Sequence, residues 1–356
     1  MTAGFGVYLH IPFCARRCDY CAFATWTDRA HLVDEYLEAC RTGIERAVAG
    51  GMPPATSVFV GGGTPSLVPA AGLLAVLGAV PLVPGAEVNF ECNPDTVTPE
   101  LLAAYRAGGV TRLSFGVQSM VPRVLAALGR THGPGNARRA VQWARDAGFE
   151  TFNLDLIYGG AGETLDDWRR TVEETLALAP PHVSAYALTV EPGTPLAADP
   201  ARHPDDDDQA DKYLLATELF HAAGLEWYEI SNWAQPGHRC RHNLLYWSQG
   251  DYLGFGCAAH SHLGGRRWWN VRTPERYMAA VTSGRSPVAG GESLDVRTRR
   301  LEAMQLALRT DSGVPLDALG SDDLEELAGL VTVSGGRVAL TTAGRLLANE
   351  VAVRLR

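Results

Sequence analysis

Tyr8-Leu9-His10-Ile11-Pro12-Phe13-Cys14-Ala15-Arg16-Arg17-Cys18-Asp19-Tyr20-Cys21 is the stretch from which the rest of the sequence can be read. Its core is C-x3-C-x2-C, with three cysteines in one turn-rich loop. Three thiols this close cannot all pair as disulfides. They can supply three thiolates to one cubane iron–sulfur cluster, whose cysteine ligands come in short-spaced runs. A 4Fe–4S cluster that only stores or passes electrons usually takes four cysteines. Three leave one iron without a protein thiolate, as the open position of a catalytic metal site does.

A small bidentate ligand, such as the amino and carboxylate groups of S-adenosylmethionine (SAM), can fill that position. Two plainer readings compete. Zinc accepts Cys3His sets, with His10 or a distant histidine as the fourth ligand. The other is three buried structural thiols, which a loop rich in arginine and turn residues does not favour.

Outward from the loop, composition narrows the choice. A chain of 356 residues is long for one domain, so one large and one small domain are expected. Hydrophobic residues at 46% and charged residues at 20% are ordinary globular values. A net charge of −9 argues against a nucleic-acid partner, which needs clustered Lys and Arg. No apolar run approaches ~20 residues, so no membrane span is expected. The sequence enters Phe5-Gly6-Val7-Tyr8-Leu9-His10, a strand, with no signal peptide before it. Seven cysteines, an odd number with three in one loop, fit a reducing cytoplasm better than a disulfide framework.

From residue 5 to about 231 strand and helix patterns alternate. The strands are expected near 5–10, 57–60, 88–91, 112–117, 151–157, 183–188 and 226–230. They are short and apolar, as in a sheet covered on both faces. Helices are expected over 30–48, 70–77, 99–107, 136–147, 165–179 and 210–223, several ending on glycine, as in Ala107-Gly108. Such βα alternation implies a parallel sheet with right-handed crossovers. Chemistry in these folds collects at the C-terminal strand ends.

The residues just past each strand are therefore informative. Gly61-Gly62-Gly63-Thr64 lets backbone N–H groups approach a ligand, or simply makes a tight turn. Glu91 can bind ribose hydroxyls or an ammonium, or start the next helix with a favourable charge. The Gln118 amide can both donate and accept. Arg130 can form a fork with a carboxylate or a surface ion pair. Asp155 is a charge inside an apolar strand and needs a partner, because an isolated buried charge is costly. Asp205 to Asp208 reads as a solvated helix N-terminus.

Together these residues resemble one pattern. Y-x-H-I-P-F-C-x3-C-x2-C is similar to the cluster loop of radical SAM proteins, in the version found in the oxygen-independent coproporphyrinogen III oxidase group. The resemblance implies an open (β/α)6 barrel over residues 1–235, with a 4Fe–4S cluster on Cys14, Cys18 and Cys21. It also implies SAM contacts from Tyr8, Tyr20, Gly62, Gly63, Thr64, Glu91, Gln118, Arg130 and Asp155, with a looser match at Ala187.

Past residue 232 the rhythm stops. Residues 236–356 read as a smaller α+β domain. Its helices, expected over 273–283, 298–308 and 321–330, precede a hairpin of 331–333 with 337–340, which looks like a winged helix. It begins with His242-Asn243-Leu244-Leu245-Tyr246-Trp247, and H-N-x-x-Y-W resembles the signature of the group's heme-chaperone branch. There His242 can ligate heme iron, Tyr246 and Trp247 can face the porphyrin, and Arg239 and Arg241 can meet propionates. Alternatively His and Asn cap a loop and the aromatics are core. His260 and His262 rank below His242 as heme ligands.

The resemblance thus implies cluster, SAM and heme as cofactors, and heme-accepting apoproteins as partners, with peripheral contact to membrane proteins. A monomer or homodimer is expected. The alternative is the group's oxidative decarboxylase. Against it, Phe23 stands where that oxidase carries another cysteine, and only seven residues precede Tyr8.

Overall fold

The computed structural model describes residues 4–130 and 133–355. Its first half repeats strand and helix: β1 (Phe5–Ile11), α1 (Val33–Ala49), β2 (Ala55–Gly62), α2 (Ala70–Gly78), β3 (Leu82–Cys92) and α3 (Pro99–Ala107). Next come β4 (Arg112–Gln118), α4 (Pro122–Ala127), α5 (Pro134–Asp146), β5 (Thr151–Tyr158), α6 (Leu165–Leu176), β6 (His182–Ala187) and α7 (Asp206–Ala222). β1 to β6 lie side by side in chain order, all parallel, which is the open (β/α)6 barrel. Local chemistry sets the boundaries. Thr98 caps α3 and Thr164 caps α6 in a capping box. Asp205 caps α7, so the acidic run is a helix start.

The strands are not apolar on both faces as expected; only their outer faces are. Val58, Val88, Phe90, Leu113, Phe115, Leu154 and Val183 are buried in one core cluster with α1, α2, α3 and α6. The alternate positions carry Ser57, Glu87, Asn89, Arg112, Ser114, Asn153, His182 and Ser184, all buried. Period-two alternation puts these on the barrel's inner face. Most are tied to one another or to neighbours: Ser114 Oγ donates to Asp155 Oδ2 at 2.7 Å, and Asn153 Nδ2 donates to Ser184 Oγ at 2.9 Å, while Asn89 Oδ1 and Arg112 Nη1 find no partner among the described residues.

The sheet does not end where the βα rhythm does. β7 (Glu226–Glu229) and β8 (Asn232–Ala234) extend it beyond β6. After α8 (Arg241–Trp247), β9 (Asp251–Phe255) pairs in parallel with β1, and β10 (His260–Leu263), β11 (Arg266–Asn270) and, after α9 (Pro274–Thr282), β12 (Val288–Ser293) continue outward. One twelve-stranded sheet results. The expected boundary at residue 235 thus falls inside a continuous sheet. Periodicity missed this because β9 to β12 are short and weakly patterned, and only β11 and β12 are joined through a helix, α9.

The smaller unit comes later: α10 (Val296–Ala307), β13 (Val314–Pro315), α11 (Ser321–Glu326), β14 (Val331–Ser334), β15 (Arg337–Leu340), α12 (Thr342–Leu346) and α13 (Ala348–Arg354). Its sheet order β13-β15-β14 and its own core, around Leu308, Val338 and Val351, are those of a winged-helix module. Among the described residues no helix is long and apolar enough to cross a membrane.

Candidate functional site

The loop after β1 is pinned at both ends. Cys14 N donates to Trp26 O at 3.0 Å and Trp26 N donates to Pro12 O at 2.8 Å, which closes its base. Cys21 N donates to Cys18 O at 3.2 Å, so Cys18 to Cys21 is a tight turn. Arg202 donates to Asp19 Oδ2 at 2.8 Å and ties the loop to the segment after β6. Cys14, Cys18 and Cys21 are all free thiols, each half-buried, on the rim of one cavity of about 650 Å³. Burial pushes the Cys14 and Cys21 thiols up, so holding a metal there means releasing protons. Among the described residues no three His, Cys, Asp or Glu side chains stand close enough to hold a single ion. Three thiols converging on one cavity rim are the soft donor set that a cubane cluster takes. His10 is not a fourth ligand: its ring nitrogens meet Tyr8 OH at 3.0 Å and Ala24 O at 2.9 Å.

The cavity floor is the C-terminal end of β2 to β6. Gly62, Gly63, Thr64, Glu91, Gln118, Arg130 and Asp155 line it, with Tyr20 at the rim. Ala187 lines it too. Tyr8 does not: its ring packs on Phe59 and it lines an adjoining cleft.

The glycines have a specific reason. A Cβ on Gly61 would lie 2.8 Å from the Glu91 carboxyl carbon, and one on Gly62 2.4 Å from His10 Nδ1. A Cβ on Gly63 would lie 2.7 Å from Phe13 O and 3.0 Å from Cys14 Sγ. The triplet lets β2 end directly against the cysteine loop. Thr64 Oγ1 donates to Cys14 Sγ at 3.6 Å.

Two partly buried carboxyls face the cavity. Glu91 accepts from Gly62 N at 3.0 Å. Burial, then the charge of Asp155, pushes its pKa up to about 7 against that N–H. Asp155 is raised by burial and held back by Ser114, Ser184 and Asn153. Across from them is Arg130. Burial disfavours its cation, but Tyr20 and Cys18 outweigh that and raise its pKa. Its Nε is buried and has no hydrogen-bond partner among the described residues. Gln118 has φ of 65°, at a break in the β4–β5 register. With its amide turned to satisfy both ends, it donates to Asp155 O at 2.9 Å and accepts from Arg130. Left-handed strain in a glutamine persists only where the surroundings impose it, and it collects at binding sites.

The arrangement suits a zwitterion joined to a nucleoside: carboxyls for an ammonium, a guanidinium with an unpaired Nε for a carboxylate, and glycine backbone and polar side chains between. Sequence reading missed Ser114, Asn153 and Tyr186 here. Ser114 and Tyr186 line the cavity and Asn153 steadies Asp155. The signal was their alternation with apolar residues.

The H-N-x-x-Y-W segment is elsewhere. It forms α8, which closes the barrel at the N-terminal strand ends. His242 is fully buried, with Nδ1 on Ser57 Oγ and Nε2 on Tyr246 OH, both at 2.9 Å. Burial lowers its pKa to about 3. His242 therefore has no nitrogen free for iron in this structure, contrary to expectation. Asn243 and Trp247 lie by the buried Glu229 carboxylate, which accepts from Ser231 N at 3.0 Å and from Asn232. Arg239 pairs with Asp311 at 2.7 Å, and Arg241 donates to Gly85 O at 2.6 Å, so neither is free for a propionate.

Comparison with known proteins agrees with this picture. Residues 8–175 match the family model of the radical SAM superfamily. The chain is 45% identical to heme chaperone HemW of Mycobacterium tuberculosis, over 98% of this chain and 93% of that one. It is 34% identical to heme chaperone HemW of Escherichia coli, over 97% and 96%. The fold matches coproporphyrinogen III oxidase of Escherichia coli at a TM-score of 0.86 and 24% identity, covering 99% of this chain and 90% of that one.

Proposed function

Because this chain belongs to the HemW family within the radical SAM superfamily, we propose that it binds heme and delivers it to heme-accepting apoproteins in the cytoplasm. The observation that carries this is identity of 45% along practically the whole chain to a protein named for that task. The likeness to the oxidase is one of fold and carries no activity with it.

As a radical SAM protein the chain carries a 4Fe–4S cluster and SAM, which when bound supply one-electron redox chemistry. In our assignment Cys14, Cys18 and Cys21 hold the cluster. Glu91 and Asp155 take the SAM ammonium, and Arg130, set by Gln118 and Tyr20, takes its carboxylate. Gly62, Gly63 and Thr64 shape the wall, and the network of Ser114, Asn153 and Ser184 keeps Asp155 in place. Tyr8 acts from behind this wall, through His10, whose ring a Cβ at Gly62 would strike. We divide the chain near residue 294, after the last strand of the main sheet.

The test is heme titration of the anaerobically reconstituted full chain, followed by mixing with a heme-free acceptor. A shifted Soret band that passes to the acceptor is expected. No shift removes the chaperone reading. Conversion of coproporphyrinogen III with SAM and a reductant would replace it with the oxidase.

A further inference from the structure

With both His242 nitrogens engaged, the other imidazoles are the ones to compare as ligands of heme iron. Each described histidine can be traced to its partners. His10, His182 and His242 are buried with both ring nitrogens hydrogen-bonded. His203, His238 and His262 each engage one, and the other His262 nitrogen is shut in the interior. His31 and His221 sit on exposed helical surfaces, away from the cysteine cavity and its adjoining cleft. His260 alone combines an exposed ring, no hydrogen bond among the described residues, and a place in a cleft.

That cleft, of about 380 Å³, adjoins the cysteine cavity and shares Ala22 and Phe23 with it. It lies on the inner face of the sheet beyond β1. Tyr252 is the register partner of Gly6 on β1, and His262 is the partner of Tyr252. His260, two residues before His262 on β10, is on that same face. Tyr246 and Tyr252 pack edge to face in its wall, with centroids 4.6 Å apart. Phe23, 64% exposed, stands at the lip on the cluster-loop side, and the Trp269 ring lies 5.8 Å from the His260 ring. Burial and the nearby Arg267 lower the His260 pKa, which keeps its imidazole neutral and its lone pair available. Arg272 lines the cleft and makes no ion pair among the described residues.

Flat apolar walls, a neutral imidazole and an unpaired guanidinium are the complement of a metalloporphyrin with carboxylate arms. We propose that this cleft is the heme site, with His260 as an axial ligand of the iron and Arg272 on a propionate. The assignment rests on the heme-binding function proposed for the chain. It gives α8 a part that its buried histidine does not: the ring of Tyr246 forms the cleft wall while its hydroxyl holds His242. It also puts heme beside the cluster loop, separated from the cysteine cavity by Ala22 and Phe23.

The test compares ferric heme binding by the reconstituted wild type, His260→Gly and Arg272→Gln, read by Soret difference and electron paramagnetic resonance spectra. His260→Gly should weaken binding by at least the roughly 10–100-fold that losing a ligand's outer partner already costs. Added imidazole should restore the low-spin signal, which a merely structural histidine would not allow. Arg272→Gln should cost about fivefold with heme and nothing with the dimethyl ester of heme, whose arms carry no charge. Wild-type binding with His260→Gly unchanged overturns this site and leaves the chaperone reading standing. No wild-type binding overturns both.

Discussion

The two ends of the barrel are built from the same polar residue types and end up in opposite states. At the N-terminal strand ends, His242 is satisfied by Ser57, Tyr246 and Glu87, and Glu229 by Ser231 and Asn232, with one nitrogen of Arg112 left unpaired among the described residues. At the C-terminal ends, Glu91 and Asp155 crowd together, Arg130 keeps a buried nitrogen without a partner, and Gln118 holds a strained backbone. A polar group whose partners are all supplied by the fold is structure. One whose partner is missing and which lines a cavity, as Arg130 does, is placed to meet a ligand. Buried polar atoms are rarely left unpaired without such a reason.

The sharpest way to break this contrast is at the cysteines. Cys14→Ser, Cys18→Ser and Cys21→Ser should each abolish the cluster and SAM binding, read from iron content and calorimetry, while the chain stays folded. Retention of full iron by any one of them would remove it from the ligand set.

The opposite end should respond in stability instead. His242→Ala leaves a cavity and strands Ser57 and Tyr246, so it should cost about 2–5 kcal/mol in urea unfolding. The wild-type His242 excludes a proton that the unfolded chain binds. Its contribution is therefore full above pH ~6.5 and is lost as pH falls toward 3. A loss well under 1 kcal/mol would mean that α8 does not seal the barrel.

Between these lies Arg130. Removing one charge-assisted contact to a carboxylate costs about 1.5–3 kcal/mol, so Arg130→Ala should weaken SAM binding roughly 10–100-fold with unfolding unchanged. An effect on stability with none on SAM would place Arg130 with the structural groups.

Glu91 gives the smallest effect. Tyr8 and Asp155 face it with like charge or a neutral ring, and Arg130 lies beyond Asp155. With its pKa near 7, it must shed a proton before it can meet an ammonium. SAM affinity should fall by up to about tenfold per pH unit below 7. Glu91→Gln should flatten that slope, and an equally steep slope in the variant would assign it to another group.

The sequence made the cluster loop legible because three sulfurs at fixed spacing admit few structures. It also placed Glu91 and Gln118, because strand ends were visible in the βα rhythm, and Asp155, because a charge inside an apolar strand needs a partner. It misplaced His242. A histidine beside asparagine, tyrosine and tryptophan looks equally like a ligand and like a buried knot. Only Ser57, distant in sequence, decides between them. It also lost β9 to β12, where half the partners of each strand come from hairpins with weak patterning. The polar inner faces of β3 to β6 were present as alternation but were hidden by strongly apolar neighbours.

The most direct test is Mössbauer spectroscopy of the full chain reconstituted anaerobically with iron and sulfide, before and after SAM is added. The account predicts about four irons per chain, with one of them changing its signal when SAM binds. Bound zinc in place of iron, or a cluster whose irons are all indifferent to SAM, would contradict it.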